Sequence, residues 1–436
     1  MKIILCKGQF QGPISGADET LVSYATNLRR AGHSVSVLLM YPHSPEDHYY
    51  DRLRAAGVPV TTLAVEPVRS SLDAGRSFAR GVLRALPATG PVVRSSAQRV
   101  AATLASRYYA RCREHLRLSG ADLAHVFTPD AGAMVMIRAA SAAGVPVLYQ
   151  ELGMPYDPPD YRPFYKRFTS VLPLCAEVAA LSPLLARKCR EHLPHGGTIS
   201  VLPIITEELS AGAGESRAAR APQRPPGEGV VVGFAARIEH LKGPMILLEA
   251  FAAACRERPD LRLKIAGSGS LKQCLAERAE ALGVASRCQF VGVYREREER
   301  RSFMRGLDLF ALPSLTEGTP NSIAEAMSHG LPVVASAVGG IPDLITPEVG
   351  ALVRPGDPHS LADELVALAA DAGLRARMGR AAERRYAELF LPDVVLPILL
   401  ETYERVASKK RPNPAPAPPL LGGCRHPWAE PGFYGV

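Results

Sequence analysis

Short apolar runs alternate with helical periods along almost the whole chain, and that alternation starts twice. In the first half, Ile3–Cys6, Val35–Leu39, Leu123–Val126, Val145–Tyr149, Val178–Leu181 and Ile199–Leu202 are runs of the kind that become strands buried on both faces. Between the first two, Asp18–Arg30 places apolar residues at 21, 22, 25 and 28, the spacing of one helical face, and Gly32 ends it. Residues 207–229 then turn to Gly, Pro, Ala and Glu and read as a linker. Beyond it the pattern restarts with Val230–Phe234, Leu263–Ala266, Gln289–Val291, Leu309–Leu312 and Val333–Ala335. Helices are predicted at about 243–256, 270–282, 297–306, 321–329, 360–370 and 374–387. Strand–helix alternation builds a parallel sheet covered on both faces, and 436 residues exceed what one core usually supports. The predicted class is therefore α/β with two parallel-sheet domains. The first covers 1–206 and the second 230–390, with a helix at 391–408 placed to return to the first and a Pro-rich, disordered tail at 409–436.

Composition narrows the partners. Eight cysteines are scattered without a C-x-x-C pair, so neither a zinc site nor a disulfide framework is expected, and a reducing cytoplasm is the simplest compartment. No apolar run is long enough to span a bilayer, and Met1–Cys6 reads as a strand, not as a signal peptide. The net charge of +8 is concentrated: residues 66–118 hold ten arginines against three acids. That segment is either a solvated helical face or a patch for anionic headgroups at the inner face of the plasma membrane or for a phosphorylated acceptor. It lacks the aromatic platforms of a nucleic-acid binder, so no nucleic acid is expected. Asp160–Phe168 mixes rings and cations and suits an acceptor groove, a lipid interface or core packing.

The densest chemistry lies at 317–325, Glu-Gly-Thr-Pro-Asn-Ser-Ile-Ala-Glu. Leu309–Leu312 precedes it as a buried strand, Thr319 is the expected N-cap, Pro320 the first helical residue, and Gly330 the stop. Amides at a helix start attract phosphate, which makes Asn321 and Ser322 candidates for a diphosphate. Glu317, with Gly318 and Thr319, sits where a loop can hold a polyol. Glu325 sits in the helix, where a carboxylate can accept from vicinal hydroxyls such as a ribose. At the end of the strand Val230–Phe234, Arg237 and Lys242 form a cationic pair suited to a diphosphate. Ala266-Gly267-Ser268-Gly269 is a turn through which backbone can approach a nucleotide, but it lacks the third glycine of a dinucleotide fingerprint. Gly267 and Val293 are the candidates for contact with a base.

These segments resemble the retaining glycosyltransferases of family 4, the glycosyl transferases group 1. Glu317 and Glu325 match their E-x7-E motif, Arg237 and Lys242-Gly243 their R-x4-K-G, and 326–335 with Gly339-Gly340-Ile341-Pro342 continue the pattern. The resemblance covers about 1–405 and is strongest from 230 to 345. It implies the GT-B fold, two Rossmann-like domains facing each other across a cleft, with the acceptor on the first and the nucleotide sugar on the second. It implies transfer of a hexose-type sugar from a nucleotide-diphosphate donor to a hydroxyl acceptor, with the anomeric configuration retained. Envelope polysaccharide or glycolipid synthesis is the implied context, and a lipid-linked acceptor is one form the resemblance allows. No cofactor is implied beyond the nucleotide sugar as co-substrate. No metal is expected either, since cations and helix amides take that part. Gly16, in Gly16-Ala17-Asp18, matches the N-terminal glycine loop that reaches toward the donor phosphates or the acceptor and is the candidate there for donor diphosphate, although Ser15 and Asp18 depart from the family residues. His125, in Asp122–Phe127, keeps the first histidine of D-x-x-H-x-H, and Phe127 replaces the second. His125 stands as a catalytic candidate beside Glu317, with core packing as the competing reading. Leu202–Thr206 replaces the usual Pro-Asn-Gly. Two further functions stand beside transfer into the envelope: a non-catalytic scaffold that binds a sugar nucleotide, and glycosylation of a specialised metabolite.

Overall fold

The computed structural model of the chain describes residues 1–10, 15–41, 48–63, 106–153, 165, 168–206, 229–294 and 297–409. The linker 207–229 except its last residue, most of the basic segment, most of Asp160–Phe168 and nearly all of the tail lie outside the described residues. The chain divides into two compact units. One comprises Met1–Ala180, Cys189–Ser200 and the residues from Leu399; the other comprises Leu181–Lys188 and Val201–Ile398.

The first unit carries a seven-stranded sheet: β1 (Lys2–Lys7), β2 (Ser34–Leu39), β3 (Val60–Thr62), β4 (Leu123–Phe127), β5 (Val147–Glu151), β6 (Glu177–Ala180) and β7 (Ile199–Val201). Their order is β3-β2-β1-β4-β5-β6-β7, and from β3 to β6 every pair is parallel. β4 and β5 are buried at every residue, as a central parallel strand requires. The second unit has six strands: β8 (Val231–Ala235), β9 (Arg262–Ala266), β10 (Cys288–Gly292), β11 (Leu309–Leu312), β12 (Val333–Ser336) and β13 (Gly350–Val353). They run β10-β9-β8-β11-β12-β13, all parallel. The two predicted sheets are thus present. β3 and β13 were not foreseen: β3 has three half-buried residues, and β13, at a sheet edge, is buried only at its two ends, so neither makes a continuously buried run. The helices Ala131–Ala142 and Pro183–His192 were also not foreseen. The first is mostly Ala, Gly and Met, so it shows no apolar stripe against a polar face.

Each order reverses once, between β1 and β4 and between β8 and β11. At such a reversal the connections leave to opposite faces of the sheet, and a crevice opens at the carboxyl ends of the two central strands. That rule directs attention to the residues that follow β8 and β11.

In the first unit the second half of the C-terminal helix, Pro392–Ser408, is fixed by charge. Glu177, fully buried at the start of β6, accepts from Arg405 at 2.7 and 3.1 Å and from Lys409 at 3.4 Å. Burial on its own would raise the Glu177 carboxyl; Arg405, Ser200 and Lys409 outweigh it and hold the group below the ordinary range.

Candidate functional site

β8 ends in Ala235, and the chain passes through Arg237 into a single turn, His240–Lys242, closed by Gly243. β11 ends in Leu312, and Pro313 and Ser314 lead to Glu317. The two loops meet. Lys242 Nζ lies 2.6 Å from Glu317 Oε1, and Ser314 Oγ donates to the same oxygen at 2.8 Å. Leu315 N donates to Leu241 O at 2.9 Å. Gly243 makes this approach possible: its φ is +67°, and a Cβ there would lie 2.0 Å from Pro313 O. Lys242 and Glu317 are mostly buried, with side chains 20% and 6% exposed, so their attraction is only partly screened.

A second glycine fixes the other side of the Glu317 loop. Gly339 has φ +57°, and a Cβ would lie 1.8 Å from Glu317 O. Gly340 N donates to Gly318 O at 2.8 Å. The Gly-Gly pair after β12 therefore presses on the backbone of the acidic loop.

The helix Asn321–Ser328 starts where the periodicity places it, but its cap is one residue later than expected. Pro320, not Thr319, holds the N-cap position, with φ −73° and ψ 124°, and no side chain caps the helix. The ψ of Pro320 is extended and not helical, which places it outside the first turn. Thr319 Oγ1 is consequently buried with no hydrogen-bond partner among the described residues. A buried hydroxyl in that state costs energy until a ligand or water engages it. Asn321 and Ser322 are half-buried at the helix mouth.

Glu325 sits at the fifth position of this helix and is 7% exposed. Arg300 Nη1 donates to its Oε1 at 3.2 Å, and Tyr294 Oη donates to its Oε2 at 3.4 Å. Tyr294 lies just beyond β10, next to the half-buried Val293, and Arg300 lies on the helix Arg297–Arg305. Gly267 follows β9, and its N–H donates to Gly292 O at 2.7 Å. The β9 turn is latched to the β8 turn through Glu239, which accepts from Ser270 N at 2.7 Å and Ser270 Oγ at 2.6 Å. Those bonds, with Arg237 nearby, hold the Glu239 carboxyl below its ordinary range. Arg237 itself is exposed.

The second unit thus brings Lys242 onto the Glu317 loop, and the Gly318–Ser322 stretch continues from that loop into the helix bearing Glu325. The remaining predicted positions lie in the first unit. Gly16 opens the helix Gly16–Arg30, with Ser15 as N-cap accepting from Asp18 N at 3.2 Å. His125 requires a correction. It is the middle residue of β4 and 0% exposed, stacked on Phe127 at 4.1 Å, with Nδ1 2.8 Å from the Tyr403 hydroxyl. Burial pushes its imidazole down to about 3, the Gln150 amide opposing, so the ring is neutral. A side chain sealed in mid-strand is core; the groups at the carboxyl ends of β1 and β4 are others. Lys7 and Asp18 form an ion pair there, both 0% exposed. Asp130 caps the helix Ala131–Ala142 through Ala133 N at 2.7 Å, and burial raises its carboxyl. Thr128 between them holds φ +62°, a costly conformation for a β-branched residue.

Sequence reasoning did not assign Ser314, Glu239 or Arg300 to the site. Ser314 and Glu239 were visible as polar residues within five positions of a strand end. Arg300 gave no signal, because it arrives from a neighbouring helix.

By fold the chain is a GT-B protein. The Anabaena protein HepE, solved with UDP and glucose, superposes with a TM-score of 0.69 at 20% identity, covering 92% of this chain and 99% of that one. Sucrose-phosphate synthase from Thermosynechococcus elongatus gives a TM-score of 0.69 at 17% identity, covering 94% and 100%. Residues 215–385 match the family model of Glycosyl transferases group 1, residues 15–204 match that of the Glycosyl transferase 4-like domain, and the chain belongs to this glycosyltransferase family. Among curated relatives, the D-inositol 3-phosphate glycosyltransferase of Salinispora tropica is 37% identical over 197 residues, 43% of this chain and 40% of that protein. The enzyme of the same name from Corynebacterium glutamicum is 35% identical over 156 residues, 34% and 37%. The match spans about two fifths of the length of these relatives.

Proposed function

We propose that this protein is a retaining hexosyltransferase that takes its sugar from a nucleotide-diphosphate donor held in the second unit. One observation carries the reading. At the reversal of the sheet, a cation from the β8 loop and a carboxylate from the β11 loop meet 2.6 Å apart, beside an uncapped helix start. Arg237, Lys242 and the amides at Asn321 and Ser322 take the diphosphate, Gly318, Thr319 and Glu317 the sugar, Glu325 the ribose, and Gly267 and Val293 the base. Gly16 is assigned to donor phosphate and the rest of the first unit to the acceptor.

The reaction breaks the bond between the anomeric carbon and the β-phosphate oxygen. The acceptor oxygen bonds to that carbon on the same face, and its proton passes to the departing phosphate oxygen. Negative charge grows on the diphosphate as the bond breaks, so fixed cations stabilise the transition state more than the bound donor. Arg237 and Lys242 supply that charge without a metal. Glu317 orients sugar hydroxyls, and its bonds to Lys242 and Ser314 hold the carboxylate ready.

The relatives' names make an inositol phosphate the first acceptor to try, and envelope glycoconjugates the first context. Four arginines at 107, 111, 113 and 117, exposed on the helical residues 106–119, support peripheral contact with an anionic membrane. No described helix is long and apolar enough to cross one.

The test is a panel of UDP-, GDP- and ADP-sugars with inositol phosphate and lipid-extract acceptors, comparing wild type with Glu317→Ala and Lys242→Ala. Transfer by wild type, reduced at least 100-fold in both variants, supports the reading. Equal kcat/KM in all three contradicts it.

A further inference from the structure

Glu325 does not stand alone on its helix. Its carboxylate is only 7% exposed, and a buried carboxylate without a partner would be pushed towards its neutral form. The helix Arg297–Arg305 places Arg300, whose side chain is 19% exposed, against Oε1 at 3.2 Å. Tyr294, just beyond β10, donates to Oε2 at 3.4 Å, so donors from two different elements hold the two oxygens. A carboxylate offers about four acceptor positions. Arg300 and Tyr294 approach different oxygens, and together they fix the plane of the group that two vicinal hydroxyls would meet.

We infer that Arg300 is a positioning residue for ribose recognition: it fixes the plane of the Glu325 carboxylate, so that the group discriminates a ribose from a 2′-deoxyribose. This rests on the assignment of Glu325 to the ribose. Arg300 touches the carboxylate and not the sugar, so its effect passes through Glu325. Its charge also attracts a diphosphate from a distance, but that attraction is the same for ribo- and deoxyribonucleotides. The ratio of the two affinities therefore isolates the positioning effect.

The experiment is calorimetric titration of the full chain with UDP, GDP and ADP, each paired with its 2′-deoxy counterpart, on wild type, Glu325→Ala, Arg300→Met and Arg300→Lys. Wild type is expected to prefer the ribonucleotide about tenfold or more, the worth of one hydrogen bond to a charged group. Glu325→Ala should bring the ratio near one. Arg300→Met should lower it at least threefold and raise the donor KM, with kcat at saturating donor within about twofold of wild type, and Arg300→Lys should recover part of the preference. A wild-type ratio in Arg300→Met, with the ratio lost in Glu325→Ala, overturns the inference and leaves the ribose assignment standing. A wild-type ratio in Glu325→Ala, or binding of none of the nucleotides, overturns the assignment itself. Should Arg300→Met melt early, Arg300→Lys and Arg300→Gln carry the same comparison, and an unchanged ratio in both has the same adverse meaning.

Discussion

At the scale of single residues, His125 separates a motif from its meaning. The residue matches a family histidine by position, yet its ring is enclosed by Phe127, Tyr24 and Tyr403. Its folded pKa of about 3 lies below the ordinary 6.5. Below pH 6.5 the unfolded chain therefore binds a proton that the folded chain refuses. Stability is fully present above that pH and falls as pH drops towards 3, by up to ~1.4 kcal/mol per pH unit. His125→Gln keeps a polar partner for Tyr403 and cannot titrate. Denaturant melts between pH 4 and pH 8 should show the acid-side decline shrinking in the variant, while kcat/KM stays within about fivefold of wild type. A 100-fold loss of kcat/KM with an unchanged pH profile would restore the catalytic role.

At the scale of elements, the turns after the strands carry the site, and backbone contacts hold them. Gly339 and Gly243 each bring one loop against the carbonyl of another, at left-handed φ values. Replacing either with Ala adds strain of ~1–3 kcal/mol and forces the Glu317 loop apart from its neighbour. The expected outcome is a lower Tm and a donor KM raised at least tenfold; an unchanged KM would mean that the loop position does not matter. The same turns show what the sequence made legible. Strand ends, the spacing of Glu317 from Glu325, and Lys242-Gly243 could be read directly, because local pattern and burial agree there. The N-cap was read one residue too early, since Thr319 has good capping chemistry but Pro320 sets the backbone. Arg300 and the Glu239–Ser270 latch were not legible, because both depend on which neighbouring element packs alongside, and that is a property of sheet order.

At the scale of the whole molecule, the C-terminal helix shows how distant sequence completes a unit. Glu177 is paired with Arg405, 228 residues away. Arg405→Met leaves a buried carboxylate with weaker partners, and the Arg405 side chain is 35% exposed, so a screened cost of ~1–3 kcal/mol is expected. Because the folded carboxyl lies below its ordinary value, this stabilisation exists above the usual carboxylate range and disappears as pH falls through it. Unfolding at pH 7 and pH 3 should therefore separate wild type from Arg405→Met at the higher pH only. Equal stability at pH 7 would make the pair incidental.

The claim on which the functional reading depends is that the carboxyl end of the second sheet is a diphosphate site. The direct measurement is the Kd of a nucleoside diphosphate for wild type and for Lys242→Met at low and at moderate salt. The reading predicts one site per chain, at least tenfold weaker in the variant, with a smaller salt dependence because one cation is gone. The same Kd and the same salt dependence in both proteins would contradict it.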